Sequence, residues 1–295
     1  MPTQFMTITD ENLWLAKRKS YVTSTESSSL FGLQMPSLPT AFELYHIKIS
    51  QEVDPIFNEN ERMIWGRRLE DVIAKGVAED NNWTIEPLKV FAYDDDDKIG
   101  SSFDYKGHNE EKGQFLIEIK TVAYRDYKMK FVEDDDSDFI EAPAYYEVQV
   151  QHELECIGEY EWCALVVFIM DTRDVKILWR KRDRDMGAKI RAKIRHFWLS
   201  GEIPAPDLEA DSDLLARMQR ANNSDKTLDA TEISEFDLYA QAYLDETLKS
   251  KQADLAKKRA RSQMLLLMDD YNQAWCNVAR VTNKSSFRVT ETKGK

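Results

Sequence analysis

Two carboxylates and a lysine occupy neighbouring apolar segments of this sequence, at a spacing that suits metal-dependent phosphate chemistry. Asp104 ends one apolar segment, and Glu118-Ile119-Lys120 follows fourteen residues later in the next. In a β-strand, residues i and i+2 face the same side, so Glu118 and Lys120 share one face. A hairpin between the two segments would place Asp104 beside Glu118.

The chemistry expected of this group follows from the cost of bringing its charges together. Two carboxylates that project from apolar strands are costly to bury without a compensating charge, and a divalent metal ion supplies one. Hard oxygen ligands favour Mg²⁺, with Mn²⁺ as a substitute. Such an ion holds a scissile phosphate and makes hydroxide from water, while Lys120 orients or deprotonates that water. An edge strand with a surface salt bridge has the same short pattern. The flanking residues must therefore decide between a salt bridge and a metal site.

The elements that would position these residues alternate between helical and strand patterns. The pattern predicts helices from Asn58, over Ala144–Ile157 and over Asp185–Leu199. Predicted strands cover five segments: Leu88–Tyr93, Ile99–Tyr105, Phe115–Val122, Trp162–Met170 and Val175–Trp179. This order favours an α/β fold with a central mixed sheet flanked by helices, as in a restriction-endonuclease-like nuclease core. The first three strands are expected to form a meander, because their connections are too short for crossover helices.

The composition changes after Pro206, which predicts a core over 1–206 and a helical extension over 207–295. Residues 207–293 contain neither Gly nor Pro. Apolar stripes at Phe236–Leu248 and Leu266–Val278 predict two long helices, or one long helix with a polar waist. The alternating segment Ser286–Val289 predicts a terminal strand.

Four further residues lie in segments that flank the Asp…Glu-x-Lys group. Glu70 ends Gly66-Arg67-Arg68-Leu69-Glu70 on the preceding helix, and Gln149 begins Gln149-Val150-Gln151 on the following one. Arg18 and Thr25 lie upstream, seven residues apart. On their helices, Glu70 could face the site as a third carboxylate and Gln149 could reach the water on the metal.

In this order, the Gly-x-x-x-Glu, Asp…Glu-x-Lys and Gln-x-Gln motifs resemble those of the lambda-type phage recombination exonucleases. Those enzymes belong to the PD-(D/E)xK nuclease superfamily and to the YqaJ-like viral recombinase family. The resemblance covers roughly residues 12–200. The sequence departs from the family pattern at Phe103 and Tyr105, where the family has Pro and Gly on either side of the aspartate.

The resemblance implies a role for each matching position. Asp104 and Glu118 are then metal ligands with the carbonyl of Ile119, and Lys120 is the catalytic lysine. Glu70 lies near a second metal position, and Gln149 positions the water or the lysine. The resemblance further implies that Arg18 and Thr25 receive the 5′-phosphate of the DNA.

The resemblance also implies an activity and its partners. The family's members are Mg²⁺-dependent 5′→3′ exonucleases on linear double-stranded DNA, and they leave 3′ single-stranded overhangs for a single-strand annealing protein. Their assembly is a trimeric ring around the DNA, which implies a homo-oligomer here. A phage or prophage context implies action in the bacterial cytoplasm.

Charge is segregated along the chain, whose formal net charge is −13. A negative balance argues against a nucleic-acid partner, but the segment Arg173–Arg195 holds ten Lys/Arg against three Asp. Candidates for contacts to the DNA backbone come from this segment: Lys176, Arg180, Lys181, Arg182, Lys189 and Arg191. The acidic segments Asp94–Asp97 and Glu133–Asp136 are interpreted as solvated loops, because neither has the spacing of an EF-hand.

The sequence lacks the signatures of several other classes of protein. Three widely spaced cysteines favour a reducing, cytoplasmic compartment over a disulfide framework, and they cannot supply the four thiolates of an iron–sulfur cluster. No phosphate-binding Gly-x-x-x-x-Gly-Lys-Ser/Thr motif occurs. No apolar segment is long enough to span a membrane, and the N-terminal ten residues do not have the layout of a signal peptide.

Three alternatives to the exonuclease remain open at this point. One is a site-specific or structure-specific endonuclease of the same superfamily, which would also cut closed circular DNA. Another is a non-catalytic protein that binds DNA ends and keeps the fold. The last is a scaffold whose long tail mediates assembly and whose acidic surface is the working face.

Overall fold

The computed structural model describes residues 3–33, 38–49, 61–133, 139–221 and 227–291. The chain divides into two compact units, residues 1–222 and 223–295. This division falls later in the chain than the 206/207 boundary expected from composition. Among the described residues, no helix combines the length and the apolar character that a membrane crossing needs.

The elements of the first unit alternate between helices and short strands along the chain. In order they are β1 (Gln4–Thr7), α1 (Glu11–Lys19), α2 (Ser24–Ser27), a 3-10 helix (Ser28–Phe31), α3 (Ala41–Ile49), α4 (Glu61–Asn81), β2 (Thr84–Pro87), β3 (Val90–Asp94), β4 (Ile99–Ser102), β5 (Tyr105–Asn109), β6 (Gly113–Val122), α5 (Tyr124–Lys130), β7 (Val132–Glu133), β8 (Ile140–Glu141), α6 (Ala144–Ile157), β9 (Trp162–Ile169), β10 (Asp174–Lys181), α7 (Arg184–Leu199) and α8 (Ser212–Ala221). The predicted start of α4 at Asn58 lies outside the described residues.

The central sheet has five strands in the order β10-β9-β6-β5-β2. Strands β6 and β9 pair in parallel and the other neighbours pair antiparallel, so the sheet is mixed. The chain between β6 and β9 contains α5 and α6, as a crossover between parallel strands requires. This confirms the expected mixed sheet.

Helices cover both faces of the sheet, because alternate residues of β6 enter two different apolar clusters. Phe115, Ile117 and Ile119 pack with α4 residues such as Ile73 and Val77. The alternate positions belong to the other face, where Leu116 and Val122 share a cluster with buried residues of α6 and α7. Glu118 and Lys120 have the same parity as Leu116 and therefore project from the face that α6 covers.

The predicted meander is wrong. Strand β3 pairs with β1 and β4 in a separate three-stranded sheet, of order β1-β3-β4. The apolar segment Ile99–Tyr105 is two strands, β4 and β5, which belong to different sheets. The chain changes sheets between Ser102 and Tyr105, where the carbonyl of Asp104 accepts a hydrogen bond from the amide of Leu88 at 3.1 Å. This crossing places Asp104 immediately before β5.

The second unit contains one long helix and a small sheet. Its elements are α9 (Ser234–Met268), β11 (Gln273–Trp275), β12 (Ala279–Asn283) and β13 (Phe287–Glu291), with the strands in the order β11-β12-β13. The helix runs through the polar waist at 249–252 without a break. The prediction of a second helix over Leu266–Val278 is wrong, because α9 ends at Met268 and strands follow. The terminal strand is confirmed in β13.

Candidate active site

The pairing of β5 with β6 brings Asp104 and Glu118 together. Tyr105 is paired with Ile117, so the residue before Tyr105 and the residue after Ile117 lie opposite each other. The Oδ2 atom of Asp104 accepts a hydrogen bond from the amide of Ile119 at 2.8 Å. The side chain of Asp104 is therefore fixed against β6, the strand that carries Glu118 and Lys120.

Lys120 projects from the same face of β6 as Glu118, and its Nζ lies 2.5 Å from Glu118 Oε1. Glu118 is only 5% exposed. Burial disfavours the charged form of Lys120, but Glu118, Tyr146 and Asp104 together outweigh this and raise the pKa of the lysine. Lys120 is thus held as a cation beside the carboxylates.

Gln149 reaches the same point from α6. This helix follows Pro143, and it ends at Gly158, whose φ of 75° is left-handed, as is common for a residue that terminates a helix. The side-chain amide of Gln149 donates to Glu118 Oε1 at 2.6 Å and to Glu153 Oε1 at 2.9 Å. Four of the five side chains discussed so far are thus joined by hydrogen bonds or ion pairs: Glu118, Lys120, Gln149 and Glu153.

These residues open into a cavity of about 150 Å³ that also reaches α1 and α2. Its lining residues are Arg18, Thr23, Ser24, Thr25, Ser102, Asp104, Glu118, Lys120, Gln149 and Glu153. Arg18 donates from Nη2 to Thr23 Oγ1 at 3.3 Å, and the hydroxyls of Thr23 and Thr25 are 3.5 Å apart. The cavity therefore has an acidic side with one lysine, and a side of hydroxyls with one arginine.

A buried ion pair holds the hydroxyl side in place. Glu26, at the end of the Thr-x-x-Glu sequence that starts α2, accepts from the amide of Thr23 at 2.8 Å. Lys48, which is 8% exposed, donates to Glu26 at 2.8 Å and to the carbonyl of Arg18 at 3.2 Å. Burial opposes ionisation of Glu26, but Lys48 and Arg18 outweigh it and lower the pKa of Glu26. This pair ties the end of α1 to α2.

The acidic side carries more negative charge than its lysine neutralises. Burial raises the pKa of Asp104 well above its usual range, and the charge of Glu118 raises it further. Burial and Glu118 also raise the pKa of Glu153 well above normal. Glu70, which is half-buried on α4 and does not line the cavity, has its pKa raised to about 7 by burial and by Glu118. An added cation would relieve this repulsion.

The donor atoms fit a hard divalent cation. Among the described residues, no three carboxylate, histidine or cysteine side chains converge closely enough to enclose a metal by themselves. The donors that suit Mg²⁺ are the carboxylates of Asp104 and Glu118 and the main-chain carbonyl of Ile119. Magnesium is commonly bound by one or two carboxylates and retains several waters, so this small set is sufficient.

Several predicted contacts to the DNA backbone are occupied by carboxylates instead. Arg180 is 7% exposed and its guanidinium donates to Glu147 at 2.7 Å, which does not fit the expectation that it lines a DNA track. Arg182 donates to Glu155, and Arg191 donates to Glu155, Asp94 and Asp97. Lys176 lies 3.4 Å from Glu133. Lys181 and Lys189 are exposed.

The acidic segment Asp94–Asp97 runs from the end of β3 into the turn before β4. It was predicted to be a solvated loop, but part of it is buried. Asp94 is 4% exposed, and it shares Arg191 with Asp97. The second acidic segment is described only at Glu133, which accepts from the Tyr127 hydroxyl at 2.7 Å. Residues 134–136 lie outside the described part of the chain.

Sequence reasoning missed four residues of the cavity. Thr23, Ser24, Ser102 and Glu153 were assigned no role, although Glu153 lies four residues after Gln149 and so on the same helix face. His152 is fully buried and its Nε2 lies 3.0 Å from the carbonyl of Gly100. It is a packed histidine.

Comparison with solved structures finds partial similarity at low identity. An alkaline exonuclease from Laribacter hongkongensis (LHK-Exo) is 20% identical with a TM-score of 0.48, over 72% of this chain and 99% of that one. A phage-related exonuclease from Haemophilus somnus 129PT is 10% identical with a TM-score of 0.44, over 67% of this chain and 96% of that one. The comparison with curated proteins gives no match.

The family comparison is more direct. The YqaJ-like viral recombinase domain matches residues 13–160, which is half of the chain. This range begins in α1 and ends after α6, so it includes the cavity residues from Arg18 to Glu153. The chain therefore belongs to the family of the YqaJ-like viral recombinase domain.

Proposed function

We propose that this protein is a Mg²⁺-dependent 5′→3′ exonuclease that acts on linear double-stranded DNA, with Mn²⁺ as a substitute ion. The observation that carries the proposal is the shared cavity. Its acidic side holds Asp104, Glu118 and Lys120, and its other side holds Arg18 and Thr25. One side suits hydrolysis of a phosphodiester and the other suits a terminal phosphate.

Asp104, Glu118 and the carbonyl of Ile119 would hold the cation. When bound, a divalent cation supplies polarisation of the scissile phosphate and a lower pKa for water. Lys120, held as a cation, would balance negative charge that develops on the phosphate. Gln149 has both amide hydrogens directed at carboxylates, which leaves its carbonyl oxygen to accept from an attacking water.

The polarity of digestion would come from Arg18 and Thr25. A guanidinium beside two hydroxyls suits the oxygens of a 5′-phosphate, because arginine donates several hydrogen bonds in one plane. A 5′-phosphate held at this side would present the adjoining linkage to the acidic side. Digestion would therefore start at a 5′ end and expose a 3′ single strand.

The proposal also covers the partner protein, the oligomeric assembly and the contacts to the DNA backbone. The 3′ overhang would be the substrate of a single-strand annealing protein in the bacterial cytoplasm. A trimeric ring would retain the DNA through phosphate contacts that depend on salt but not on sequence. Lys181 and Lys189 are exposed and suited to such contacts. We place the nuclease core in residues 1–206 and the helical extension in residues 207–295.

Labelled DNA tests the proposal. The protein would be incubated with Mg²⁺ and linear duplex DNA labelled separately at each 5′ and 3′ end, with closed circular DNA as the control. We expect early release of the 5′ label as a mononucleotide, late release of the 3′ label and an intact circle. Asp104→Asn should remove the activity, and EDTA should stop it.

The same assay separates the other candidates. Cleavage of the closed circle would establish an endonuclease. Retention of labelled ends without release would indicate a protein that binds DNA ends but does not cut. Early release of the 3′ label would overturn the proposed polarity and the role of Arg18.

A further inference from the structure

We infer that Glu153 is a positioning residue, which fixes the Gln149 amide and links it to the phosphate-binding side of the cavity. The inference rests on the proposed function and deepens it. Glu153 has no part in the metal-ligand set, and it lies beyond the Asp…Glu-x-Lys group in the sequence.

The first step concerns the orientation of Gln149. A primary amide has two N–H donors, and the nitrogen of Gln149 lies within hydrogen-bond distance of Glu118 Oε1 and of Glu153 Oε1, at 2.6 and 2.9 Å. Two carboxyl oxygens that accept from the nitrogen define which way the amide points. Without Glu153, only one of these contacts would remain, and the amide could rotate.

The second step concerns what Glu153 joins. Its carboxylate also interacts with Ser24, which is the first residue of α2 and lines the same cavity. Ser24 is 5% exposed and precedes Thr25 directly. Glu153 therefore connects the helix that carries Gln149 to the short helix that carries a hydroxyl of the proposed 5′-phosphate site.

The third step concerns the cost of keeping a carboxylate there. Glu153 is 2% exposed, and its partners Gln149 and Ser24 are both neutral. A buried carboxylate without its own cation destabilises a fold. Glu155, two residues later on α6, is paired with Arg182 and Arg191. The contrast on one helix points to a role for Glu153 in the site rather than in packing.

Substitutions at Glu153 separate hydrogen bonding from simple packing. Glu153→Ala removes the acceptor, and Glu153→Gln keeps a carbonyl oxygen for Gln149. We expect Glu153→Ala to lower kcat on 5′-phosphorylated duplex DNA by about 10- to 100-fold with little change in KM, as for other residues that orient a catalytic group. Glu153→Gln should restore most of kcat. Glu155→Gln is the matched control on the same helix, and it should lower the melting temperature but not kcat.

A second measurement does not depend on catalysis. In protein labelled with ¹⁵N at glutamine, the side-chain amide signal of Gln149 can be assigned from its loss in Gln149→Asn. Glu153→Ala should move this signal, and Glu153→Gln should leave it closer to its wild-type position. An unmoved signal, an unchanged kcat in Glu153→Ala or a Glu153→Gln variant as slow as Glu153→Ala would each overturn the inference. If the wild-type protein does not digest DNA, the proposed function fails, but the amide signal still tests the orientation.

Discussion

Two clusters of charged side chains lie on either side of α6, and they solve the problem of burial in different ways. Glu153 belongs to the cavity cluster with Asp104, Glu118 and Lys120. Glu155 belongs to a second cluster, in which Arg191 donates to three carboxylates. Residues two apart on a helix are separated by about 200° around its axis, so one helix faces both clusters.

The second cluster is electrostatically balanced, because three arginines, Arg182, Arg191 and Arg195, face its three carboxylates, and it locks elements together. Arg191 on α7 reaches Glu155 on α6 at 2.5 Å, and it reaches Asp94 at the end of β3 and Asp97 in the following turn at 2.9 and 2.7 Å. Gly187 makes this packing possible, because a Cβ there would lie 2.5 Å from Glu155 Oε2. The carboxylates of this cluster have enough partners to stay ionised in place.

The cavity cluster is unbalanced in the same protein interior. Burial opposes ionisation of Asp94 and Glu155, but hydrogen bonds outweigh it and lower the pKa of both. Burial and repulsion instead raise the pKa of Asp104 and Glu153. This difference predicts that one cluster stabilises the fold, whereas the other retains repulsion that the proposed cation would relieve.

The largest expected effects come from neutralising the cavity cluster. Asp104→Asn keeps an oxygen that can accept from Ile119 but removes the charge that a cation needs, so digestion of linear DNA should fall to background. Lys120→Met should lower kcat by about 10²- to 10³-fold, the range for loss of one group that stabilises charge in the transition state. Both are measured with end-labelled DNA. In EDTA, the melting temperature of Asp104→Asn should equal or exceed that of the wild type.

Activity in either variant at wild-type rates would contradict the site. A large fall in melting temperature for Asp104→Asn would contradict the comparison itself, because it would show that the cavity carboxylate stabilises the fold. Circular dichroism of each variant is the control for folding.

Cation binding should stabilise the protein through the cavity cluster. A ligand that binds only the folded state raises its stability, by about 2.7 kcal/mol when the free concentration is a hundred times Kd. We therefore expect Mg²⁺ or Ca²⁺ to raise the melting temperature of the wild type and to leave Asp104→Asn unchanged. An equal rise in both proteins would place cation binding elsewhere.

Breaking the balanced cluster should cost stability rather than chemistry. Arg191→Met leaves Asp94, Asp97 and Glu155 without their shared cation, and the loss of one partner from a buried ion pair typically costs about 3–5 kcal/mol. Arg191 is 18% exposed at its side chain, so the lower end applies. Urea unfolding measures this loss, and kcat per folded molecule should stay near the wild-type value. An unchanged unfolding midpoint would show that the cluster does not stabilise the fold.

The pH dependence of stability should separate the clusters further. A carboxylate with a raised pKa destabilises the fold above that pKa, and this penalty disappears below the pKa of the unfolded state, about 4. The gain in melting temperature of Asp104→Asn should thus be largest near neutral pH and shrink towards about pH 4. The lowered pKa values of Asp94 and Glu155 keep them ionised in the wild type over this range, so the stability that the second cluster contributes there should stay nearly constant down to about pH 4. A gain that does not change with pH would contradict the raised pKa of Asp104.

The central elements could be predicted from sequence because their ends are marked locally. The bounds of α6 agree with the prediction to the residue, since Pro143 precedes the helix and Gly158 terminates it. The break at Phe103 and Asp104 was missed, because both of the sheets that meet there need apolar residues and hydrophobicity does not tell one sheet from the other. The hairpin that places Asp104 opposite Glu118 was still predicted, since it depends only on the pairing of β5 with β6.

The partners of charged residues could not be predicted in the same way. Arg191 was expected to contact DNA because it lies in a basic segment, but its partners Asp94 and Asp97 come more than ninety residues earlier. Composition counts charges without showing which are paired. Glu153 was missed for the opposite reason, because its significance comes from Ser24 on a distant part of the chain.

The smallest expected effect concerns the hydroxyl side of the cavity, which lies outside both clusters. Arg18→Ala should reduce the preference for 5′-phosphorylated over 5′-hydroxyl ends by about tenfold, because a hydrogen bond to a charged group contributes about 1.5–3 kcal/mol and tenfold corresponds to about 1.4 kcal/mol. The measurement is kcat/KM on the two substrates. Lys189→Ala removes the same charge at an exposed position of α7 and should weaken digestion of both alike. An equal loss on both ends in Arg18→Ala would give Arg18 the same general role as Lys189, and the 5′-phosphate would then be bound elsewhere.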